Sequence, residues 1–594
     1  MTEPLMTRWG RTLDRDHPLP EYPRPQMRRD SYVNLNGVWD YAFTTDETKP
    51  EQWDGEIVVP FSPESVLSGV GRALKAAEVL HYRRSFTLPE GFLRSRVLLH
   101  FGAVDQTAVV FVNGAEQYRH AGGYTAFSCD ITDALRPGEN ELWVVVRDDT
   151  ESPLYGRGKQ SLRPGGIWYT AQSGIWQTVW LESVPEVYIK SFRLTPLYDK
   201  ARLEITVKLS GKAAKVTADV YAHGEFVAGS YFREGRCVIP LPDFHSWSPE
   251  DPHLYDLRLT AGEDSVESYF AMRKFSFTEV NGHRVFALNN RPYFHNGLLD
   301  QGYWPDGLLS APSDEAMLHD IATAKDFGFN TLRKHIKIEP MRWYYHCDTL
   351  GMLVWQDAVN GGGPQDPILT SIAPLAGLIK HSDRDYRLFR RDDPRSRSQY
   401  LAELREMLEQ LRNCPSIALW TPFNEGWGQF DAARMASIVQ DSDSSRYIDH
   451  ASGWHDQGWG ELCSRHIYFR PVRLKNDGRA LCLTEYGGYS LSLPENSWGR
   501  KIFGYKLFRS SEALLCAYEK LIRRQILPHI REEGLTAAIY TQLTDVESEC
   551  NGLMTYDREI VKLPAEALRP LHELLSFEDE KTEEETPRVD KDVL

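Results

Sequence analysis

From about residue 276, short apolar segments alternate with amphipathic helix-like segments over roughly 300 residues, and this alternation restricts the possible folds most strongly. Met317, Ile321, Ala324 and Phe327 are spaced to share one helical face, as in a surface helix. The strand-like segments between the helices are 329–335, 352–358, 416–425, 446–452, 466–469, 481–487 and 537–545. Repeated strand–helix units of this kind predict a (β/α)₈ TIM barrel over residues 276–577.

The residues before the barrel lack this alternation and predict two β-domains. Residues 1–185 contain runs of β-branched and aromatic residues separated by turn sequences, which predicts a jelly-roll sandwich with one short helix near 70–78. Residues 186–275 place a strand about every 10 to 15 residues, which is typical of an immunoglobulin-like sandwich. The acidic tail, residues 578–594, is expected to be disordered.

Composition excludes several classes of partner. A formal charge of −16 argues against a nucleic-acid partner, because phosphate binding needs a basic surface. No segment approaches the roughly 20 apolar residues of a membrane span, so no membrane partner is expected. The N-terminus lacks an apolar signal region, and the eight scattered cysteines form no CxxC motif. A reduced, cytoplasmic protein is therefore predicted.

Polar residues follow most of the predicted barrel strands, at the end where TIM barrels carry their chemistry. They are Arg333 and His335, Gln356 and Asp357, Asn424 and Glu425, His466 and Tyr468, Glu485 and Tyr486, and Gln542 and Asp545. Glu425 and Glu485 would face each other across the barrel mouth. Glycoside hydrolysis with retention needs such a pair, because one carboxylic acid protonates the leaving oxygen while a carboxylate about 5 Å away attacks the anomeric carbon.

The two glutamates differ in their predicted surroundings. Trp420, Phe423 and Trp427 flank Glu425 in sequence and would raise its pKa by desolvation, which suits a general acid. A glutamate at the end of an apolar run is also commonly a helix cap or a solvated turn. On the other side of the barrel, Arg333 and Tyr468 would hold the Glu485 carboxylate ionised, as a nucleophile requires.

An ordered series of motifs runs through all three predicted domains. The first domain contains LNGVWDY, HYRRSFTLP, FGAVDQTAVVFVNG and SGIWQTVWLE, the second contains WSPEDPHLYDL and FAMRKF, and the barrel contains NGHRVFALNNRPYFHNGLLDQ, GFNTLRKH and WTPFNEGWG. In these motifs the chain resembles glycoside hydrolase family 2, the family of bacterial β-galactosidases, β-glucuronidases and β-mannosidases. The resemblance covers residues 25–575.

This resemblance implies a retaining, exo-acting β-glycosidase that uses no cofactor. It implies that Glu425 is the acid/base and Glu485 the nucleophile, that Asn424 binds the sugar 2-hydroxyl, and that Tyr468 hydrogen-bonds the nucleophile. Relatives of this family are often oligomers, so a homo-oligomer is a possible assembly. A β-galactoside is the first choice of substrate, and a β-galactofuranoside, arabinoside, mannoside or glucuronide stays open.

Three departures from the family pattern limit what the resemblance implies. His335 follows Arg333 by two residues rather than the three of well-known members. Where many members have a tryptophan near the end of strand eight, this chain offers Tyr540 or Gln542. Residues 548–559 lack the Asn-x-Lys with which β-glucuronidases bind the substrate carboxylate, which disfavours a glucuronide. The metal ligands of large β-galactosidases have no clear match, so no metal is expected.

Two loops complete the predicted site. The residues after the first barrel strand include Asp300 and Trp304, side-chain types that bind sugars, although a structural loop is the alternative. Trp454, His455 and Asp456 follow strand five and would form part of the site, a lid or an oligomer contact. The predicted substrate-binding residues are Asn424, Arg333, His335, Asp357, His466, Tyr468, Asp300, Trp304, Trp427 and Gln542. A non-catalytic carbohydrate-binding protein is the alternative from another class.

Overall fold

The computed structural model describes residues 4–212, 215–364, 380–499 and 501–577. The tail predicted over residues 578–594 lies outside the described residues. All eight cysteines are free thiols, and only Cys516 is exposed. Within the described ranges, every helix is too short or too polar to cross a bilayer.

The first domain is an antiparallel β-sandwich. Its strands are β1 (Tyr32–Asn34), β2 (Gly37–Thr44), β3 (Gly55–Val59), β4 (Val79–Thr87), β5 (Arg96–Phe101), β6 (Val104–Asp105), β7 (Thr107–Val112), β8 (Ala115–Ala121), β9 (Phe127–Asp130), β10 (Glu139–Arg147), β11 (Gln160–Ser161), β12 (Tyr169–Thr170), β13 (Gly174–Ile175) and β14 (Val179–Val184). The two main sheets have the orders β1-β14-β5-β9 and β3-β2-β4-β10-β7-β8. Alternate residues of β7 and β10 point into a shared apolar core.

Helix is scarce in this domain, as the sequence predicts. A single turn, α1, spans Arg8–Arg11, and Thr7 caps it by accepting a hydrogen bond from the Gly10 amide. The short helix predicted near residues 70–78 is wrong, because this segment is a loop that ends in a turn. A nine-residue segment that includes Gly71 is too short to form a helix without strong tertiary support.

The second domain is a smaller sandwich of two antiparallel sheets. Its strands are β15 (Ile189–Leu197), β16 (Arg202–Leu209), β17 (Val216–Ala222), β18 (Glu225–Tyr231), β19 (Arg236–Pro240), β20 (Tyr255–Ala261) and β21 (Asp264–Phe270). The sheet orders are β15-β16-β19 and β18-β17-β20-β21. A short sheet then follows, made of β22 (Phe275–Val280), β23 (His283–Leu288) and β24 (Arg291–Pro292). Phe275 and Phe286 of this sheet pack into the barrel interior and close its N-terminal end.

The third domain is the predicted parallel barrel. Its strands are β25 (His295–Asp300), β26 (Thr331–Lys334), β27 (Leu353–Asp357), β28 (Ile417–Thr421), β29 (Tyr447–Ile448), β30 (Leu462–Ile467), β31 (Ala480–Gly487) and β34 (Leu535–Thr541), with β32 (Tyr489–Leu491) and β33 (Lys506–Phe508) paired in a loop. The order β29-β28-β27-β26-β25-β34-β31-β30 is nearly closed, since in the described part of the chain only the seam between β29 and β30 lacks backbone pairing.

The helices of this domain surround the barrel. They are α2 (Asp314–Asp326), α3 (Met341–Leu350), α4 (Pro394–Leu411), α5 (Ala432–Ser442), α6 (Ser511–Leu521), α7 (Leu527–Glu533) and α8 (Ala565–His572). Ser313 caps α2 by accepting a hydrogen bond from the Ala316 amide, and the predicted face of α2 is buried. Helix α4 begins four residues before the predicted segment, because Asp393 caps it and Pro394 suits the first helical position. The predicted fold class is confirmed.

Candidate active site

The Asn-Glu pair lies in a tight turn just beyond the end of β28. Glu425 has a left-handed backbone (φ 51°), and its amide donates to the Ser452 carbonyl over 2.9 Å. Gly428 also has positive φ, and a Cβ there would lie 2.2 Å from the Gly361 carbonyl oxygen, so this position requires glycine. These backbone contacts hold the Glu425 side chain at the barrel mouth, beside strands β29 and β30.

The Glu425 carboxylate is buried, with 8% of the residue exposed. Its Oε1 atom lies 2.9 Å from Nδ1 of His466. Burial raises the pKa of Glu425 to about 7, while the positive charges of Lys159 and Arg333 act against this rise. The carboxyl group can therefore carry a proton near neutral pH, in the direction that the sequence predicts.

The three aromatic residues that flank Glu425 in sequence lie in different parts of the structure. The Trp420 indole donates to Asp443 over 3.2 Å, and Phe423 stacks on Tyr400 of α4 with ring centroids 5.0 Å apart. Both rings therefore pack in the helical layer around the barrel. Trp427 instead lies at the mouth, where its ring is close to residues of the first domain. The desolvation of Glu425 therefore comes from the burial of the whole turn and not from all three rings, as the sequence suggests.

Glu485, on β31, has a partner on each carboxylate oxygen. Arg333 Nη1 donates to Oε1 over 3.1 Å, and the Tyr468 hydroxyl donates to Oε2. The Tyr468 ring stacks in parallel on Tyr505, with centroids 4.1 Å apart. Charge-assisted hydrogen bonds from both sides fix this carboxylate in one orientation.

Arg333 connects the ends of four strands. Its guanidinium pairs with both oxygens of Asp357 over 3.1 and 3.0 Å, and it donates to Asn424 Oδ1 over 2.8 Å and to the Thr484 carbonyl over 3.1 Å, besides contacting Glu485. Burial opposes its charge, but the carboxylates of Asp357 and Glu485 raise the pKa of Arg333 above its ordinary value. Its donors are all directed at protein groups, so Arg333 orients the site.

His466 lies between the two glutamates. Its Nδ1 is 2.9 Å from Glu425 Oε1, and its Nε2 is 3.6 Å from Glu485 Oε1. Burial lowers the pKa of His466 to about 4, so the ring is neutral at neutral pH. Trp454, from the loop that the sequence singles out, packs edge-on against this ring at 5.1 Å.

The separation of the two carboxylates is short. One oxygen of Glu425, one nitrogen of His466 and one oxygen of Glu485 all lie within 4.8 Å of one another. Three such donors could bind a metal ion, but the Arg333 guanidinium lies 3.1 Å from Glu485 and 3.5 Å from His466, and its charge opposes a cation there. The group is therefore better suited to acid, base and nucleophilic chemistry.

His335 belongs to a chain of hydrogen bonds along one side of the mouth, in which each member donates to the next. The chain runs from Asn424 through His335, Gln301, Gln542 and Asn551 to Glu549, with distances of 3.1, 3.0, 2.9, 2.7 and 3.0 Å. Because Asn424 donates, His335 Nε2 accepts and Nδ1 carries the hydrogen. Burial lowers the pKa of His335 well below its usual value, which keeps the ring in this neutral form.

Two of the predicted substrate-binding residues contact other parts of the protein. Asp300 accepts a 2.7 Å hydrogen bond from Lys334 and one of 2.9 Å from the Gly302 amide. Trp304 packs edge-on against Trp9 at 6.3 Å, and the Arg558 guanidinium lies 3.9 Å from its ring. These contacts agree with the alternative of a structural loop.

Tyr540 and Gln542, the two candidates to replace the strand-eight tryptophan, lie in different surroundings. The Tyr540 hydroxyl accepts a hydrogen bond from the Tyr489 amide, and its ring packs on Tyr486 and Tyr518 in the apolar layer outside the barrel. Gln542 instead belongs to the hydrogen-bonded chain that contains His335. Of the two residues, Gln542 is therefore the one connected to the other predicted site residues.

Three residues at this end of the barrel are not predicted from the sequence as site residues. Tyr505 stacks on Tyr468, and Trp168 lies 5.1 Å from the Trp427 ring. The Lys159 ammonium lies 4.8 Å from the centroid of Trp427. Lys159 and Trp168 come from an irregular, glycine-rich loop of the first domain, which carries no periodic signal that would place it at the barrel mouth.

Comparison with known proteins agrees with this architecture. Residues 72–185 match the model of the family 2 glycosyl hydrolase sugar-binding domain, residues 187–273 match the model named glycosyl hydrolases family 2, and residues 279–476 match its TIM barrel domain. The chain belongs to glycosyl hydrolase family 2. The predicted family is thus confirmed, and membership supports a glycosidase that acts on carbohydrate.

Named relatives of this family 2 chain differ in substrate. A β-galactosidase of Thermoanaerobacter pseudethanolicus is 25% identical over 61% of the chain and 47% of its own length, and a putative β-glucuronidase of Formosa agariphila is 28% identical over 55% and 37%. The chain thus spans less than half the length of these two relatives. A β-galacturonidase structure from Eisenbergiella tayi shares the fold, with a TM-score of 0.69, 20% identity, and coverage of 94% of this chain and 100% of that one.

Proposed function

We propose that this protein is a retaining, exo-acting β-glycosidase in which Glu485 is the nucleophile and Glu425 the acid/base. The observation that supports this most directly is the separation of the two carboxylates, with one oxygen of each within 4.8 Å. Retaining glycosidases place their carboxyl groups about 5 to 5.5 Å apart, whereas inverting enzymes need about 6.5 to 9.5 Å to admit a water molecule.

In the first step, a Glu485 oxygen attacks the anomeric carbon as the bond to the leaving oxygen breaks. Glu425 gives its proton to that oxygen, so the aglycone leaves as an alcohol and a glycosyl ester forms on Glu485. The raised pKa of Glu425, about 7, means that the proton is present at neutral pH. His466 holds Oε1 of Glu425 and leaves Oε2 for the leaving group.

In the second step, ionised Glu425 removes a proton from water while the water oxygen attacks the anomeric carbon. The ester bond breaks, Glu485 returns as a carboxylate, and the sugar leaves with its original β configuration. Arg333 and Tyr468 stabilise the returning negative charge because each donates to one oxygen of Glu485.

Asn424 is suited to bind the glycone beside the bond that breaks. Its Oδ1 accepts from Arg333, and one amide hydrogen is directed at His335. A primary amide carries two hydrogens, so the second is available to a sugar hydroxyl. The His335 chain and Arg333 together fix the orientation of this amide.

The glycone is proposed among β-pyranosides and related sugars. A β-galactoside is the first choice from the sequence, and galactosidases, glucuronidases and galacturonidases all occur among the similar proteins. The loop that contains Lys159 and Trp168 covers one side of the mouth, which supports attack on terminal sugars. A cytoplasmic location and a homo-oligomer stay predictions.

The test combines product stereochemistry with covalent labelling. A panel of 4-nitrophenyl β-glycosides, including the galactoside, glucoside, mannoside, glucuronide and galacturonide, is followed by proton NMR, and the first product should be the β-anomer. A 2-deoxy-2-fluoro glycoside of the same glycone should label the peptide that contains Glu485. An α-anomer as first product, or labelling at another residue, would contradict the assignment.

The alternative of a non-catalytic carbohydrate-binding protein makes a different prediction in the same assays. It requires that sugars bind while no glycoside of the panel is cleaved and no label is transferred. Retention of both carboxylates, each with distinct partners, favours the enzyme.

A further inference from the structure

Lys159 is a cation from the first domain that lies at the predicted site. Only 5% of the residue is exposed. Its ammonium is 4.8 Å from the centroid of Trp427 and 5.9 Å from those of Trp168 and Tyr169. It is close enough to Glu425 and His335 to act on both electrostatically. The ammonium therefore lies on the side of the predicted site that Glu425, His335 and Trp427 form.

The loop on either side of Lys159 is held firmly against the barrel. The amides of Arg157 and Gly158 both donate to the Asn360 carbonyl, over 2.9 and 3.0 Å. The Gln160 side chain donates to Asp105 inside the first domain over 2.7 Å. The loop is thus held on both sides of Lys159.

The Lys159 ammonium has aromatic neighbours but no polar partner. In the part of the chain that the structure describes, it forms neither a hydrogen bond nor an ion pair, and its nearest favourable contacts are aromatic faces. These aromatic faces attract the cation without using its hydrogen-bond donors. A ligand that brings negative charge would complete the site.

Arg333 cannot serve this purpose, because its donors are engaged by Asp357, Asn424, Thr484 and Glu485. Lys334 and Lys337 are also engaged, since both ammonium groups donate to Glu339 Oε1 over 2.8 Å. Lys159 is therefore the cation at this mouth, among the residues described, whose three donors remain open to a ligand.

We propose that Lys159 binds an oxyanion carried by the glycone, a carboxylate or a sulfate ester, so that the preferred substrates are acidic sugars. This inference rests on the proposed glycosidase function and narrows its substrate class. The positive charge would then come from a loop of the first domain. It would bind the oxyanion in place of the Asn-x-Lys motif, which residues 548–559 lack. The faces of Trp427 and Trp168 beside it would contact the apolar face of the same sugar.

A different role for Lys159 would be purely electrostatic, through its action on Glu425. The two roles differ in their dependence on substrate. If Lys159 binds an oxyanion, its loss should affect acidic glycosides selectively. If it acts on Glu425 alone, its loss should affect acidic and neutral glycosides equally, because every substrate uses the same acid/base.

The experiment compares matched substrates with wild type, Lys159→Met and Lys159→Arg. The acidic substrates are the 4-nitrophenyl β-galacturonide, β-glucuronide and 6-sulfo-β-galactoside, and the neutral ones are the β-galactoside and β-glucoside. Wild type should favour an acidic member, and Lys159→Met should lower the acidic-to-neutral ratio of kcat/KM by about 10- to 100-fold, the usual value of a hydrogen bond to a charged group. Lys159→Arg should recover part of the ratio, and comparing carboxylate with sulfate identifies the oxyanion.

A binding measurement separates failure of this inference from failure of the proposed function. Calorimetry with galacturonate, glucuronate, galactose and glucose needs no turnover, and uronate binding should be weakened selectively in Lys159→Met. Cleavage of neutral glycosides with an unchanged ratio would overturn the inference and leave the glycosidase intact. Failure of both uronates to bind wild type, together with no cleavage of the sulfo-glycoside, would also overturn it. Uronate binding without hydrolysis or labelling would instead overturn only the proposed function.

Discussion

The ends of strands β28 and β31 present the same functional group in two different settings. Glu425 follows β28 in a left-handed turn, and its polar contact is a neutral histidine, His466. Glu485 lies within β31 and receives hydrogen bonds from Arg333 and Tyr468, one on each oxygen. Burial with few donors favours a protonated carboxyl group, in agreement with the raised pKa of Glu425.

This contrast shows how one reaction can use two identical side chains in opposite roles. The acid needs a proton that it can lose and regain, and the nucleophile needs a negative charge and a fixed direction of attack. The proposed roles rest on the positions of Arg333 and Tyr468 rather than on any difference between the glutamates themselves. Each prediction below tests one side of the contrast.

The largest effect is expected for Glu485→Gln, which removes the proposed nucleophile and leaves the shape of the site nearly unchanged. Turnover of every glycoside should fall by about 10⁴- to 10⁶-fold, the range seen when other enzymes lose a catalytic nucleophile or its partner. Steady-state hydrolysis of the best 4-nitrophenyl glycoside measures it. Circular dichroism provides the control for folding, and a well-folded variant with near-normal turnover would refute the role of Glu485.

Glu425→Gln should cost about 10²- to 10⁴-fold in kcat/KM, the usual contribution of general acid–base catalysis. The loss should be largest for alkyl glycosides, whose leaving groups need a proton, and smaller for 2,4-dinitrophenyl glycosides, which leave without one. Added azide should accelerate the variant and give the β-glycosyl azide. An equal loss for both leaving groups, without azide rescue, would count against Glu425 as the acid/base.

Tyr468→Phe removes one of the two donors to Glu485. A hydrogen bond to a charged group contributes about 1.5 to 3 kcal/mol, so kcat should fall by about 10- to 100-fold. Tyr505→Phe is the matched control, because Tyr505 stacks on Tyr468 but the Glu485 oxygens are held by Arg333 and Tyr468. If both variants behave alike, the effect of Tyr468 comes from packing rather than from its hydroxyl.

The smallest effect concerns the pH profile of the wild-type enzyme. The pKa of Glu425 is raised to about 7, so the acid is protonated below pH 7 and loses its proton above it. The value of kcat/KM should therefore fall about tenfold per pH unit on the alkaline side of pH 7. Glu425→Gln should lack this alkaline limb. A limb that begins already near pH 4.5, the ordinary pKa of a glutamate, would mean that burial does not control this group.

The sequence predicts the fold and the two glutamates because both depend on local patterns. Helical spacing in α2 and α4 and the apolar runs of β28 and β31 give the order of the strands, and the chemistry of a parallel barrel lies at one end of that order. Glu425 and Glu485 follow directly from these patterns together with the motif WTPFNEGWG. The immediate neighbours of each glutamate follow less directly.

Contacts between segments that are distant in sequence account for the features of the site that the sequence does not predict. Trp304 has a side chain suited to sugars, but Trp9 and Arg558, which lie far from it in sequence, enclose it. Nothing in the sequence around Lys159 marks it as a site residue, because its loop is placed over the barrel by hydrogen bonds to the distant Asn360. Trp420 and Trp427 are seven residues apart, yet only the turn at Gly426 and Gly428 directs one outward and the other to the mouth. Such contacts arise only from the tertiary fold.

The junction between Gly156 and Gly361 has a consequence for how such enzymes can diversify. The two backbones pair directly, and a Cβ at Gly361 would lie 2.1 Å from the Tyr155 carbonyl oxygen. Because this contact admits no side chain, it holds the loop of the first domain in a constant position over the barrel. Substitutions at neighbouring loop positions can then alter the sugar that is accepted while the glutamates keep their geometry.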